Sequence, residues 1–402
     1  MKILLVPDSF KGTIPANRVC EIMRAAILAR FPKCEVVSIP VADGGEGTVD
    51  CLLTATGGEK ITCRVTGPLG EKIESFYGLL PGNTAVIELA AAAGLPLIKS
   101  PNPSVTTTYG VGELLLDAAR RGCKRIILGL GGSCTNDLGC GMAAAAGARF
   151  YKKCDCAAAG SFGGSVRSVL SAGSVGSVFI PTGGTLSQIA DLDLTQLREN
   201  FAGVTITVMC DVNNPLHGEN GAAHVYAPQK GATPEMVVHL DAQLRAAASV
   251  IEKKLGADIS SLPGAGAAGG AGAGMAAFFG ATLQPGITTV LDAVNFDAQL
   301  EGADFVFTGE GRLDAQTARG KVVAGVARRV AGRAPVIVFA GAIEDPVDEI
   351  YPLGVTAVFP ATRRAAPLDP ARCETDLRLT IENVCNLIAL KRVKKMKKVK
   401  GT

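Results

Sequence analysis

The chain has 402 residues, of which 48% are hydrophobic and 19% are charged. This length and apolar content predict a sizeable buried core divided between two domains. The formal net charge of +3 arises from one segment, residues 391–400 (KRVKKMKKVK), which holds seven cations; the rest of the chain is mildly acidic. A strongly basic body that binds polyanions is therefore excluded. We interpret residues 391–402 as a solvated basic tail, and contact of this tail with nucleic acid or an anionic membrane surface is the alternative.

The cysteines and the N-terminus indicate a cytoplasmic protein. None of the twelve cysteines forms a CxxC pair, and the three histidines are not at the spacing of a zinc motif. The N-terminal residues enter a strand without a signal segment, so we expect reduced cysteines in the cytoplasm. The apolar content of the uncharged stretch 259–291 is mostly alanine and glycine. It therefore predicts a glycine-rich loop before a buried helix rather than a membrane span.

The first 60 residues alternate between strand and helix patterns. KILLV (2–6) and EVVSI (35–39) predict short apolar strands. The segment 17–31 (NRVCEIMRAAILARF) has apolar residues at helical spacing, and a second helix begins in GTVDCLLTAT and ends at the glycine pair 57–58. Such alternation predicts a parallel sheet whose crossover helices cover both faces.

The middle of the chain predicts a mixed second domain. RVTGPLGEKIESFYGLL and NTAVIELA are typical of an antiparallel, hairpin-rich region. RIILGLGGSCTND and VTITVMCDVNN then add two units in which a strand leads into a polar loop. Residues 155–185 are rich in glycine, serine and alanine with weak periodicity, which predicts a loop.

The C-terminal part of the chain again alternates between strand and helix patterns. ADFVFTG, APVIVFAG and GVTAVFPAT predict strands, the first near residues 304–307, and a last helix runs from about Asp369 into the tail. Neither end of the chain alone supplies enough strands for a typical sheet. We therefore predict an α/β fold in which residues 1–60 and 296–402 form a discontinuous parallel-sheet domain. Residues 61–295 form a large inserted mixed α/β domain.

Polar turns follow nearly every predicted strand. In open parallel sheets, ligands bind beyond the carboxyl ends of the strands, so these turns predict one site along that edge. The polar and charged residues in these turns are Asp8, Ser9, Lys11, Asp43, Glu46, Ser133, Thr135, Asn136, Asp137, Asp211, Glu310, Arg312 and Asp314. Taken singly, each turn is better explained by an Asx turn or a helix cap, and their recurrence is what indicates a site.

The composition of these turns fits phosphoryl transfer. Carboxylates are ligands that Mg²⁺ prefers, cations neutralise the transferring group, and backbone N–H groups in glycine-rich turns hold phosphate oxygens. GLGGSCTND and GAGAAGGAGAG are both suitable turns. The GxGxxG match at 264–269 follows no convincing strand, and neither a Walker A nor a GxSxG sequence occurs. The residues alone therefore predict no more than a phosphotransferase.

Nine motifs occur in an order that carries a family resemblance. They are PDSFKG, ADGGEGT, TGPLG, TTYGVGELL, GLGGSCTND, CDVNNPLHGENGAA, PQKGA, GAGAAGG and TGEGRLDAQTARGK. Together they resemble the bacterial-type glycerate kinase family over nearly the whole chain. The resemblance implies a flavodoxin-like or Rossmann-like parallel-sheet domain with an inserted second domain. It also implies ATP-dependent phosphorylation of D-glycerate to phosphoglycerate; the reacting hydroxyl stays open, with 2-phosphoglycerate favoured over 3-phosphoglycerate.

Two features depart from the family pattern. Residues 155–185 do not look like the usual segment after the GGSCTND turn. Ala315 replaces a small hydroxyl residue, which removes one possible hydrogen bond and no charge. ATP and Mg²⁺ remain the expected cofactors.

The turns and the resemblance together suggest a role for individual residues, each of them a hypothesis. The catalytic candidates are Asp43, Glu46, Asp137 and Arg312. The glycerate-binding candidates are Asp8, Ser9, Lys11, Asn136, Glu310 and Asp314. The nucleotide-binding candidates are Gly131, Gly132, Ser133, Thr135, Lys230, Gly266 and Gly269. The Mg²⁺ candidates are Asp137 and Asp211.

Two other functions stay open at this point. The chain could phosphorylate another small hydroxy acid or sugar acid, or it could be a non-catalytic ligand-binding regulator whose basic tail contacts nucleic acid. The acidic turns favour the enzyme, since carboxylates repel a nucleic-acid backbone. We expect glycerate and ATP as partners and no membrane. Nucleic acid is disfavoured as a partner, and a homodimer stays open.

Overall fold

The computed structural model describes residues 1–42, 44–153, 176–314, 322–344, 347–363 and 369–399, with side chains up to residue 390. The strands are β1 (Lys2–Pro7), β2 (Glu35–Ser38), β3 (Glu59–Thr66), β4 (Lys72–Leu80), β5 (Thr84–Glu88), β6 (Arg125–Gly129), β7 (Arg149–Lys152), β8 (Val178–Phe179), β9 (Ile189–Asp193), β10 (Thr205–Met209), β11 (Thr282–Gln284), β12 (Phe305–Leu313), β13 (Val336–Ile343) and β14 (Val355–Pro360). The helices are α1 (Ala16–Arg30), α2 (Thr48–Thr56), α3 (Ala90–Ala93), α4 (Tyr109–Arg120), α5 (Cys140–Ala145), α6 (Thr195–Asn200), α7 (Ala222–Tyr226), α8 (Pro234–Leu255), α9 (Ala267–Phe279), α10 (Gly286–Ala293), α11 (Phe296–Leu300), α12 (Val322–Val330) and α13 (Pro370–Val399). Within these described ranges, no helix has the length and apolar content needed to cross a membrane.

The chain divides into two compact units. Unit 1 contains residues 1–43, 47–58 and 285–402, and unit 2 contains residues 44–46 and 59–284. Residues 285–295, which the sequence placed in the inserted domain, lie in unit 1. There Arg329 of α12 donates to Asp292 of α10 (2.9 Å) and to Asp297 of α11 (2.8 Å).

Unit 1 is built on a five-stranded parallel sheet. Its strand order is β14-β13-β12-β1-β2. Counted within the unit, this is the 2-1-3-4-5 order of flavodoxin-like folds, so the predicted fold class is confirmed. Residues 3–6 of the inner strand β1 are completely buried, as a strand covered on both faces requires. Apolar residues of α1 and α13 share a core with this sheet, and α12 also packs on it.

β12 is longer than predicted. The sequence pattern ends this strand near residue 307, before GEGRLD, but pairing with β13 continues to Leu313, which lies opposite Ile343. Gly309 permits this pairing, because a Cβ there would lie 2.2 Å from the carbonyl oxygen of Phe339. Glu310 therefore lies within a strand rather than in a turn.

Unit 2 contains two sheets. The larger has the order β11-β10-β6-β5-β4-β3, in which β5, β6, β10 and β11 are parallel and β3 and β4 form the predicted antiparallel hairpin. The smaller is antiparallel, with the order β8-β7-β9. β8 falls in the predicted loop 155–185, and residues 155–175 of that loop lie outside the described part of the chain.

The glycine-rich segment of unit 2 forms a loop followed by a buried helix, as predicted. Residues 268–270 have left-handed backbone angles (φ 51°, 70° and 90°), so the regular part of α9 starts after them. A Cβ on Gly274 in this helix would lie 2.1 Å from the carbonyl oxygen of Leu138. Glycine is needed here because two backbone segments touch.

Candidate functional site

The carboxyl ends of β1 and β12 bring two buried carboxylates to neighbouring strands of unit 1. Pro7 of β1 lies opposite Gly309 of β12, and the N–H of Asp8 donates to the Gly309 carbonyl (2.8 Å). Asp8 and Glu310 are only 7% and 6% exposed. The strand order reverses between β1 and β12, which is where ligands bind in such folds. The structure therefore brings together two of the predicted substrate-binding residues.

Asp8 holds the PDSFKG turn that follows β1. Its Oδ1 accepts hydrogen bonds from the backbone N–H (2.6 Å) and the hydroxyl (3.3 Å) of Ser9. A Cβ on Gly311 would lie 3.2 Å from the backbone nitrogen of Lys11, so this turn crosses β12 next to Glu310. The Lys11 residue is exposed.

Arg312 forms an exposed ion pair in unit 1. Its Nη1 lies 3.2 Å from Oε1 of Glu344, and its side chain is 64% exposed. An ion pair this exposed contributes at most about 1 kcal/mol to stability. The guanidinium is thus able to exchange this partner for another anion. Asp314 follows directly after β12 and is half-buried.

The glycines of the ADGGEG motif pack against the turn that follows β6. The N–H of Gly131 donates to the Gly44 carbonyl (3.0 Å), and a Cβ on Gly131 would lie 2.5 Å from the Cα of Gly45. Two of the predicted motifs therefore touch within unit 2 through their backbones. Glu46 is exposed, and Asp43 lies outside the described residues.

The turn after β6 begins at the surface and ends in the interior of unit 2. Gly132 is exposed, whereas Ser133 is 5% exposed and Thr135, Asn136 and Asp137 are 0% exposed. The Oγ of Ser133 accepts the N–H of Thr135 (3.1 Å) and lies 3.0 Å from Thr135 Oγ1. Buried polar side chains need partners, and Ser133 and Thr135 provide them for each other.

Asp137 organises this turn. Its Oδ2 accepts the N–H and the hydroxyl of Thr108 (both 2.8 Å) and the N–H of Gly141 (3.3 Å), and its Oδ1 accepts the N–H of Gly139 (3.1 Å). Thr108 occupies the N-cap position of α4 and Gly141 lies in the first turn of α5, so the carboxylate also complements two helix N-termini. Burial raises the pKa of Asp137. Because both oxygens are engaged, the geometry favours a structural role over the predicted catalytic and Mg²⁺-binding roles.

Lys230 is a buried cation against the same turn. It ends a 3₁₀ turn (Pro228–Lys230) after α7 and is 2% exposed. Its Nζ donates to the Thr135 carbonyl (2.7 Å) and to the Ser133 Oγ (3.4 Å). Burial lowers the pKa of Lys230 to about 8. The structure thus brings together three of the predicted nucleotide-binding residues.

Asn136 has a buried amide without hydrogen-bond partners. Within the described part of the chain, neither its Nδ2 nor its Oδ1 is bonded. An unsatisfied buried polar group costs about 1–3 kcal/mol. The Asn136 side chain is therefore able to bind a polar group of a ligand.

Gly266 and Gly269 pack against other backbone segments. A Cβ on Gly269 would lie 2.1 Å from the carbonyl oxygen of Thr135, and one on Gly266 would lie 2.4 Å from that of Pro215. The Gly266 N–H donates to the Asn214 carbonyl (2.9 Å). The predicted phosphate loops GLGGSCTND and GAGAAGG therefore contact each other, and the geometry favours a packing role for these two glycines.

The described residues do not form a protein cage for a metal ion. No group of three or more His, Cys, Asp or Glu side chains in those ranges could hold one. Asp211 is exposed after β10, and Asp137 is engaged by backbone donors. This donor set does not fit a Mg²⁺ ion held by protein groups alone, as Mg²⁺ is commonly held by substrate phosphates and few carboxylates.

Glu88 was missed by the sequence reasoning. It ends β5 opposite Gly129 of β6, at the same sheet edge as the Ser133 turn, and is 3% exposed. Thr106 also supports this turn, because its hydroxyl donates to the Cys134 carbonyl (3.0 Å). The signal that could have found Glu88 is the one shared by the other turns, a carboxylate at the end of an apolar strand, here in NTAVIELA.

Proteins of known name resemble this chain over almost its whole length. The Glycerate kinase family profile matches residues 3–389. A Bacillus cereus protein named glycerate kinase is 43% identical over 390 residues, which cover 96% of this chain and 97% of that protein. An Escherichia coli K12 protein named glycerate 2-kinase is 42% identical over 390 residues, which cover 96% of this chain and 95% of that protein.

A solved structure shares the fold as well as the sequence. The crystal structure named for glycerate kinase 2 from Salmonella typhimurium LT2 matches with a TM-score of 0.83 and 38% identity. The match covers 98% of this chain and 99% of that chain. The resemblance indicated by the nine motifs is confirmed: this chain belongs to the glycerate kinase family and is an enzyme, a kinase.

Proposed function

We propose that this protein transfers a phosphoryl group from ATP to D-glycerate and that the product is 2-phosphoglycerate rather than 3-phosphoglycerate. Family membership over residues 3–389 supports glycerate as the acceptor. The observation that carries the choice of hydroxyl is the 42% identity, across 96% of the chain, to the E. coli protein named glycerate 2-kinase. The small molecules glycerate and ATP are then its partners.

Unit 1 supplies groups suited to the acid. Asp8 and Glu310 are buried carboxylates at adjacent strand ends, able to accept hydrogen bonds from the hydroxyls of glycerate. Lys11 is a cation on the same turn, suited to the carboxylate of glycerate. A carboxylate commonly accepts the proton of the attacking hydroxyl in kinases. We assign that role to Asp43, which follows β2 in the sequence.

The remaining candidates of unit 1 fit supporting roles. Ser9 and Asp314 extend the substrate contacts, and Arg312 stabilises charge on the transferring group once it leaves its exposed partner Glu344. Glu46, which lies in the segment 44–46 of unit 2, is exposed and is a second candidate for proton transfer.

Unit 2 supplies groups suited to phosphates. Gly131 and Gly132 open the turn at the surface, and Ser133, Thr135 and Lys230 follow it inward. A nucleotide that carries Mg²⁺ on its own phosphates fits a donor set without a protein cage. When bound, Mg²⁺ neutralises phosphate charge.

The cellular setting and assembly are part of the same proposal. We place the enzyme in a reducing cytoplasm, since none of the ten described cysteines forms a disulfide. A homodimer is compatible with this activity, and light scattering on the purified protein tests it.

The test is a reaction of the full-length protein with D-glycerate, ATP and MgCl₂, with the product identified by ³¹P NMR. We expect ADP and the resonance of 2-phosphoglycerate. L-glycerate and lactate, which lacks the second hydroxyl, are the controls. A 3-phosphoglycerate resonance would reject the assigned hydroxyl. ADP formation with another hydroxy acid but not with glycerate would favour the second candidate function, a kinase for that acid.

A further inference from the structure

A chain of hydrogen bonds runs from Lys230 through Ser133 to Thr135 inside unit 2. The Nζ of Lys230 donates to the Oγ of Ser133 (3.4 Å) and to the carbonyl of Thr135 (2.7 Å). The N–H of Thr135 donates to the same Ser133 Oγ (3.1 Å), which lies 3.0 Å from Thr135 Oγ1. All three residues are buried, so water competes little with these bonds.

The direction of this chain follows from counting lone pairs. A hydroxyl has one proton to donate and two lone pairs that accept. Both lone pairs of Ser133 Oγ are occupied, one by Lys230 and one by the Thr135 N–H, so its proton is directed to Thr135 Oγ1. The hydroxyl proton of Thr135 then has no acceptor among the residues that the structure describes. This series of hydrogen bonds starts at the Lys230 ammonium group and ends at the Thr135 hydroxyl, which can donate to a ligand.

The positive charge behind this donor has no salt-bridge partner among the described residues, although the charge of the nearby Asp137 carboxylate stabilises it in part. Lys230 has no ion pair there, and the titratable groups that face it are Cys134 and Asp137. Burial raises the pKa of Cys134 to about 12, so this thiol is neutral, and the Asp137 carboxylate is engaged by its own donors. A buried charge is costly unless it is paired. The next side chain, Asn136, adds an amide with unpartnered donors.

We propose that Thr135 and Asn136 form a subsite for one phosphate oxygen of the nucleotide, and that Lys230 is a positioning residue that acts on it through Ser133 and Thr135. This inference rests on the proposed function. A cation and two buried donors that lack acceptors among the described residues, with no carboxylate ion-paired to that cation, form the chemistry of an oxyanion site. Phosphate fits better than the carboxylate of glycerate, because a lysine serves as a point charge for phosphate, whereas planar carboxylates favour the fork of an arginine.

The subsite should have a characteristic pH dependence. Burial lowers the pKa of Lys230 to about 8, so the free protein loses this charge as the pH rises through that value. A bound phosphate favours the protonated lysine, which raises the pKa of Lys230 in the complex. Nucleotide affinity should therefore fall above pH 8, while Cys134 stays neutral and Asp137 keeps its donors.

Calorimetric titration of Mg-ADP into the full-length protein, without glycerate, tests the subsite. We expect Thr135→Val to weaken Mg-ADP binding by about tenfold or more, because a hydrogen bond to a charged group contributes this much. Lys230→Met should weaken it to a similar extent, because it removes the charge that polarises the Thr135 hydroxyl through Ser133. Thr135→Ser keeps the hydroxyl and should keep the affinity. Lys254→Met is the matched lysine control, since Lys254 is 47% exposed and pairs with Asp191. The loss of affinity above pH 8 should disappear in Lys230→Met.

Stability separates this role from a merely structural one. Replacing a buried, unpaired charge by methionine should keep or raise the melting temperature of Lys230→Met, whereas loss of a structural anchor would lower it. Wild-type affinity for Mg-ADP in both Lys230→Met and Thr135→Val would overturn the subsite. The subsite would also be overturned if these two variants raised the KM for glycerate and left nucleotide binding unchanged. A protein that shows the expected Mg-ADP effects but makes no phosphoglycerate would overturn the proposed function and keep the subsite.

Discussion

Among single residues, Arg312 allows activity to be separated from stability. Its ion pair with Glu344 is exposed, so its loss should cost at most about 1 kcal/mol. If the guanidinium stabilises charge on the transferring group, Arg312→Ala should lower kcat by about a hundredfold. The melting temperature should change by less than about 4 °C. Steady-state kinetics and thermal unfolding measure the two effects.

Glu344→Gln is the matched control for Arg312→Ala. It breaks the same ion pair and leaves the guanidinium in place. We expect nearly wild-type kcat in this variant. Equal losses of kcat in both variants would mean that the ion pair, and not the charge presented to the phosphoryl group, is what the enzyme needs.

Replacing Asp137 should lower stability, whereas replacing Arg312 should lower kcat. Its carboxylate accepts hydrogen bonds from Thr108, Gly139 and Gly141. In Asp137→Asn an amide NH₂ would face some of these donors, so we expect a loss of about 3 kcal/mol in the free energy of unfolding. Urea unfolding measures this loss. Unchanged stability with a strongly reduced kcat would instead support the catalytic role that the sequence suggested.

Among the elements, the contact between the GAGAAGG loop and the turn after β6 leaves no room for an added side chain at Gly269. Gly269 has φ +70°, and a Cβ there would lie 2.1 Å from the Thr135 carbonyl oxygen. Gly280, at the other end of α9, has φ +64° and open space around it. Gly280→Ala should therefore cost about 1 kcal/mol for its backbone angle alone.

Gly269→Ala should cost about 3 kcal/mol more than Gly280→Ala, because the added methyl group forces two loops apart. Urea unfolding compares the two variants, and calorimetry should show weaker Mg-ADP binding in Gly269→Ala only. Similar unfolding midpoints would show that the backbone angle, and not the contact with Thr135, sets the cost.

The elements that were predictable from the sequence have a pattern of apolar residues within their own segment. The apolar residues at helical spacing in α1 are all buried in the structure, namely Val19, Ile22, Met23, Ala26 and Ile27. The extension of β12 was not predictable, because GEGRL has no apolar run of its own. Its strand geometry depends on pairing with β13, which is distant along the chain.

In the molecule as a whole, the discontinuous fold was predictable and the site's internal bonding was not. The fold followed from counting strands at the two ends of the chain. The hydrogen bond from Lys230 to Thr135 spans 95 positions, and that from Thr108 to Asp137 spans 29, and no periodicity marks either pair. The sequence therefore identified polar residues of the turn but could not distinguish those that bind backbone donors from those able to bind a ligand.

The basic tail is expected to be separable from the enzyme. The family match ends at residue 389, and Leu390 is 62% exposed. Truncation after Leu390 should leave kcat, KM and the melting temperature unchanged, and should abolish any salt-dependent retention of the protein on DNA or RNA. Truncation after Thr380 is the control and should cost about 3 kcal/mol or more, because it removes buried side chains. These are Ile381, Val384 and Cys385. If the shorter deletion already lowers kcat or the melting temperature, the tail is part of the working enzyme and not an appendage.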